Sequence, residues 1–244
     1  MEEDLQEVPC HPKTRLTAIR NLFAKMGMTA AETSLQKTGG GENYVVRREG
    51  AGQDFIVIGA HYDFVKTGCG AIDNWTGIVM LAHMYRTISH MKPSKTVLFV
   101  AFDQEEGGRV GSRAMFQSIL KTGISHYCAM LNFDSFGMGK PFALQQSSSL
   151  KLVQLGAQMA EDLKMPLYQK VIKGADADSS SFLKRGIPSI TLSGLSEDWA
   201  TILHTTKDQQ NAINSVSVFA GYRLALSMWS SIDAAPCDAY RNSP

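Results

Sequence analysis

Two hydrophobic periods alternate along this chain, and the switches between them mark out its elements. "DFIVIGA" (54–60) and "KTVLFVAF" (95–102) are unbroken apolar runs of strand length, the pattern of strands covered on both faces. "YCAMLNF" (127–133) and "IPSITLS" (187–193) repeat it, whereas "NYVVRRE" reads as an exposed or edge strand. Between these runs the period lengthens. Over 14–26, Leu16, Ile19, Leu22, Phe23 and Met26 fall at helical spacing, with Gly27 as the stop. Residues 74–89, 111–123 and roughly 148–164 carry the same signature. A last helix near 215–232 sets Val218, Phe219, Tyr222, Leu226, Trp229 and Ile232 three or four apart, as a core stripe. Strands alternating with helices predict an α/β fold, a three-layer α/β/α arrangement around a mixed, mostly parallel sheet. No repeat or Pro/Ser-rich linker interrupts the pattern, so residues 1–244 read as one domain.

Composition narrows this picture mainly by exclusion. A hydrophobic content of 44% with 19% charged residues is globular. A net charge of +1, without any basic run interleaved with aromatics, gives no reason to expect nucleic acid or an anionic membrane as partner. The longest apolar runs, such as "VLFVAF", are too short to span a bilayer. The acidic start "MEEDLQEVPCHPKTR" lacks the character of a signal peptide. An exported protein whose leader is absent from this sequence is favoured slightly over a cytoplasmic one. Cys10, Cys69, Cys128 and Cys237 form no CxxC pair, which argues against a structural zinc knuckle. Cys10 and Cys237 lie near opposite chain ends, where a disulfide between them and two free thiols are equally compatible with the sequence.

The chemistry-bearing residues follow the buried strands. In open α/β sheets, ligands bind in the crevice beyond the strand carboxyl ends. His61 and Asp63 follow the first buried strand, Glu105 and Glu106 the second, and Asp134 the third. Asp73 sits at the foot of a helix, which it could also cap, and His204 lies in the loop after the fourth strand. Carboxylates gathered this way repel one another, and a divalent cation removes that problem. Two imidazoles with several carboxylates suit zinc, with manganese or cobalt also compatible. Two metals roughly 3.5–4 Å apart need a bridging carboxylate and terminal ligands on each side, and the inventory contains both. His11, His83, His90 and His126 receive no chemical role; His83 and His90 are expected to lie along one helix face. Cys69 is expected to pack.

The ordered set "HYD", "AIDNWTG", "EEGGRVGS", "NFDSFG" and "LHTTKD" resembles the di-zinc aminopeptidase family, of which glutaminyl cyclases are a divergent branch. The likeness runs from about residue 14 to 232. It implies the zinc-exopeptidase fold and two zinc ions per chain. Asp73 would be the bridge, His61 and Asp134 would complete one site, and Glu106 and His204 the other. Glu105 would be the general base, and Asp63 would accept a hydrogen bond from the His61 ring. The implied reaction is removal of N-terminal residues from peptide substrates by a metal-activated water, Glu105 passing its proton to the departing amine. The Gly-rich "TGCGA" would let the chain turn closely around the site.

Two departures stand beside the resemblance. Many relatives carry Ser-Asp-His where this chain has "DADSSSF"; Asp178 and Phe182 align, but Ser179 replaces the histidine. Some aminopeptidases also place a tyrosine, suited to hydrogen-bonding an oxyanion, where "IKGAD" stands here. The alternatives are a one-zinc glutaminyl-peptide cyclase and a metal-binding module without turnover. Cyclases commonly carry a tryptophan where Leu203 stands, and a purely structural site has no need of Glu105. The substrate pocket is expected from loops 136–147 and 194–203.

Overall fold

Ile56, Ile58 and Ala60 pack into one hydrophobic cluster while Val57 between them packs into another. That alternation is what a strand buried on both faces requires. The computed structural model of the chain describes residues 1–241. In it these residues belong to β3 (Phe55–His61). The neighbouring β4 (Thr96–Phe102) divides in the same way: Val97, Phe99 and Ala101 face one cluster, and Leu98, Val100 and Phe102 the other. Both strands lie inside an eight-stranded sheet of order β1-β2-β4-β3-β5-β8-β6-β7. The other members are β1 (Thr33–Lys37), β2 (Glu42–Arg48), β5 (Tyr127–Phe133), β6 (Phe142–Leu144), β7 (Tyr168–Lys170) and β8 (Ser189–Ser193).

The four strands at the middle, β4, β3, β5 and β8, are mutually parallel, with antiparallel pairs toward both edges. Their carboxyl ends therefore open on the same side. His61 is the last residue of β3, in register with Phe102 at the end of β4. Asp134 follows directly on β5. Helices α2 (Pro12–Lys25), α3 (Thr76–Ser89), α5 (Leu150–Asp162) and α7 (Ser215–Ala234) contribute to the larger cluster on one face. On the other face α4 (Val110–Thr122) and the short α6 (Ser180–Leu183) supply Met115, Phe116, Ile119 and Phe182 to the second. A further helix, α1 (Glu2–Gln6), packs against α3 through the buried Leu5. The expected three-layer architecture is the observed one.

Four expectations fail in detail. "NYVVRRE" is not an edge: β2 lies between β1 and β4, and Tyr44, Val45 and Val46 are buried. The true edge is β1, whose "TSLQK" carries almost no apolar signal to read. In α7, Val218, Trp229 and Ile232 are core, but Phe219 is 51% exposed and stacks on the half-buried Tyr222. His83 is buried against Asp4 at 2.8 Å, and so does not merely lie along a helix face. The cysteines also pair otherwise than weighed from the sequence: Cys10 bonds Cys69 and Cys128 bonds Cys237. Neither chain end reaches the other's cysteine, because each is captured by a cysteine within the body of the fold.

Candidate metal centre

Asp73 does not cap α3. It sits in an irregular turn, Ala71–Trp75, with φ −118° and ψ 85°, outside helical values. The turn is built by its neighbours. Asp208 accepts from the Ile72 N–H at 2.7 Å and the Asp73 N–H at 3.3 Å. Gly70 holds φ +55°, and a Cβ there would meet Phe64 Cβ at 2.4 Å and the Asp73 carbonyl at 2.6 Å, so only glycine fits. From the far side the buried Arg15 donates to the Cys69 and Gly70 carbonyls, its guanidinium 4.4 Å from the centre of the Phe64 ring. The Cys10–Cys69 bridge ties the same turn to the segment before α2.

Asn74 and Thr76 join this turn to the one after β5. Asn74 Nδ2 donates to the Phe133 carbonyl at 2.8 Å, and its Oδ1 accepts from the Ser135 N–H at 3.1 Å. Thr76 Oγ1 accepts from the Phe136 N–H at 3.1 Å. The Asp134 carboxylate is thereby carried next to Asp73. A similar device serves the third loop: Asp63 accepts from the Glu105 and Glu106 N–H groups at 2.9 and 3.1 Å. Asp63 also stands at the His61 ring, whose Nδ1 lies 3.1 Å from the Asp63 carbonyl oxygen and 3.5 Å from its carboxylate. One residue thus touches the ring and holds the main chain of the two glutamates.

The five expected ligands come together as two groups that share Asp73. His61, Asp73 and Asp134 form one, and Asp73, Glu106 and His204 the other. His61 Nε2 lies 3.1 Å from Asp73 Oδ1 and 3.8 Å from Asp134 Oδ1. His204 Nε2 lies 3.1 Å from Asp73 Oδ2 and 3.3 Å from Glu106 Oε1. Asp73 therefore turns one oxygen to each group. Asp73 Oδ1 and Glu106 Oε1 are buried at contact distance of an imidazole nitrogen yet accept no hydrogen bond. Buried polar atoms are normally paired, and a cation among these oxygens and nitrogens would pair them. The donor set fits zinc.

Charges in the cluster shift one another. Burial would push the His61 pKa down, but Asp134, Asp63 and Asp73 raise it well above its usual value. Asp73 and Glu106 lift His204 to about 10. Burial, with Asp178, Asp134 and Asp73 adding to it, pushes Glu105 up to about 9. Glu105 lines the same cleft, of about 510 Å³, as His61, Asp73, Glu106, Asp134 and His204.

Of the expected pocket loops, Leu144, Leu195, Trp199 and Leu203 line the cleft. Residues 172–176, not anticipated as a wall, line it too. Ser179, at the position of the missing histidine, is buried and donates to the Ser147 carbonyl at 2.8 Å. Asp178 beside it is fully buried, and burial pushes its pKa up to about 7. The supporting residues Arg15, Asn74, Thr76 and Asp208 went unread in the sequence. Asn74 and Thr76 had a signal as letters of "AIDNWTG", and Asp208 as the last letter of "LHTTKD"; Arg15 had none.

The model of "Peptidase family M28" matches residues 43–227. A "Vacuolar membrane protease" of Clavispora lusitaniae is 25% identical over 184 residues, 72% of this chain but only 18% of its own length. Among solved structures, the Legionella pneumophila LapA aminopeptidase superposes with a TM-score of 0.83 at 20% identity, over 96% of this chain and 72% of that one. An Acidobacteriales bacterium glutaminyl cyclase gives 0.77 at 18% identity, over 95% and 90%. At these identities the solved structures establish the fold.

Proposed function

The chain belongs to peptidase family M28, and from that premise we propose that it is a zinc-dependent aminopeptidase releasing N-terminal residues from peptides. The observation that carries the reading is Asp73, whose two oxygens face two separate His-carboxylate groups with Glu105 in the same cleft. His61 and Asp134 would hold one zinc, Glu106 and His204 the other, and Asp73 both. Zinc bound there supplies a Lewis acid that polarises the scissile carbonyl and lowers the pKa of water. Glu105 takes the proton of the attacking water and returns it to the departing amine. Asp63 keeps Glu105 and Glu106 on their separate tasks by binding both main-chain N–H groups. The apolar wall of Leu144, Leu195, Trp199 and Leu203 receives the substrate's N-terminal side chain. One continuous sheet supports treating residues 1–244 as a single catalytic unit. Two disulfides support an exported or lumenal location, since cytosolic thiols are kept reduced.

The test is Glu105→Gln beside the wild type, with zinc content, hydrolysis of leucine p-nitroanilide and peptides, and ammonia release from Gln-peptides all measured. Hydrolysis should fall by about 10²–10⁴-fold while zinc stays bound. Ammonia release without hydrolysis would instead identify a cyclase, and bound zinc without turnover a binding module.

A further inference from the structure

Arg109 is the cation that the reading above leaves without work. It follows Glu105 and Glu106 in "EEGGRVGS" and lines the cleft that they line. Its backbone holds φ +61°, the left-handed region, although two glycines immediately precede it. The guanidinium crosses the cleft rim to Asp176 through Nη1. Among the described residues its Nε and Nη2 donate to nothing.

The facing segment adds a second cation. Lys173 lines the same cleft, is exposed, and has no ion-pair partner among the described residues. Within this segment Asp176 pairs with Arg109 and, at 3.3 Å, with Lys184. Gly174, between Lys173 and Asp176, lines the same cleft, and a Cβ built on it meets nothing within 4 Å. The apolar wall, by contrast, is formed by Leu144, Leu195 and Trp199.

We propose that Arg109, supported by Lys173, binds a carboxylate of the substrate on the leaving side of the scissile bond. The preferred substrates are then short peptides whose free C-terminal carboxylate reaches this rim, or peptides with an acidic side chain next to the cleaved residue. This rests on the aminopeptidase reading. A guanidinium with unused N–H groups matches a carboxylate in shape as well as charge, which a lysine alone does not. Asp176 engages only Nη1, so the remaining donors are available to a ligand whether or not that pair is made.

The test compares Leu-Gly, Leu-Gly-amide and Leu-Glu-amide on the zinc-loaded wild type, Arg109→Gln, Arg109→Lys and Asp176→Asn. Leu-Gly should exceed Leu-Gly-amide in kcat/KM by about tenfold or more, the worth of a hydrogen-bonded charge pair. Arg109→Gln should collapse that ratio toward one, Arg109→Lys should retain part of it, and Asp176→Asn should preserve it. Leu-Glu-amide behaving like Leu-Gly shows that a side-chain carboxylate serves; behaving like Leu-Gly-amide, it restricts the site to the chain end. A wild-type ratio near one overturns the proposal. So does a ratio that survives in Arg109→Gln, or one lost equally in Asp176→Asn, which would make the ion pair only a latch. Calorimetric binding of the same peptides to zinc-loaded Glu105→Gln, with and without Arg109→Gln, reads the preference without turnover. Absent hydrolysis of leucine p-nitroanilide would therefore sink the aminopeptidase reading, while the binding ratio still decides this one.

Discussion

At the scale of single residues, the site is a set of ionisable groups that hold one another in charge states unlike those of the free amino acids. His204 is lifted to about 10 by Asp73 and Glu106, and Glu105 to about 9 chiefly by burial. Both folded-state pKa values lie above the unfolded ones, so the metal-free folded chain binds more protons than the unfolded chain through the neutral range. The stability that these two groups contribute is fullest below their unfolded pKa values and is lost as pH rises toward 9–10. Zinc reverses the sign, because its imidazole ligands must give up their protons to bind. The melting temperature of the metal-free protein should therefore fall between pH 6 and pH 9, while the increment produced by zinc grows. Thermal melts with and without chelator at several pH values would show the two trends; parallel curves would contradict the ligand assignment. Asp73→Ala removes an oxygen from each group at once and should abolish zinc retention at both, read by metal content after dialysis.

At the scale of elements, function depends on the turns that close parallel strands. Asn74 spans two of them, pairing with the Phe133 carbonyl and the Ser135 N–H. Asn74→Ala leaves those buried groups unpaired and should cost about 2–4 kcal/mol in urea unfolding, since each orphaned group costs about 1–3 kcal/mol. It should also weaken zinc binding, although Asn74 is no ligand; unaltered affinity would show that the two turns are not coupled through it. Gly70→Ala, forced against Phe64 and the Asp73 carbonyl, should do the same. The sequence made the central strands and the five ligand positions readable because each buried strand is a continuous apolar run with acidic or imidazole groups at its exit. It concealed β1, β6 and β7, which are short or polar and take their pairing from neighbours. It concealed Arg15 for a related reason. An arginine on an amphipathic helix reads as solvated, and only the packed structure reveals it lying over Phe64 with carbonyls to satisfy.

For the whole molecule, two disulfides close spans of 59 and 109 residues. On a chain-entropy account each contributes about 4 kcal/mol, which at this size corresponds to about 10 °C in melting temperature. Their positions set them apart. Cys128 lies near the start of β5, at the opposite end of the strand from Asp134, whereas Cys69 precedes Asp73 by one turn. Cys128→Ser with Cys237→Ser should lower stability and leave zinc affinity alone. Cys10→Ser with Cys69→Ser should lower both, and chelator competition on the two double variants separates these outcomes. On the two-zinc reading proposed above, the divided loyalty of Asp73 bears on how activity would switch on. An ion entering either half would reposition the oxygen its neighbour requires, so a half-loaded molecule would be a species of its own rather than half of the finished catalyst. Activity plotted against added zinc should accordingly bend upward before it saturates, and a simple hyperbola would mean that a single ion suffices.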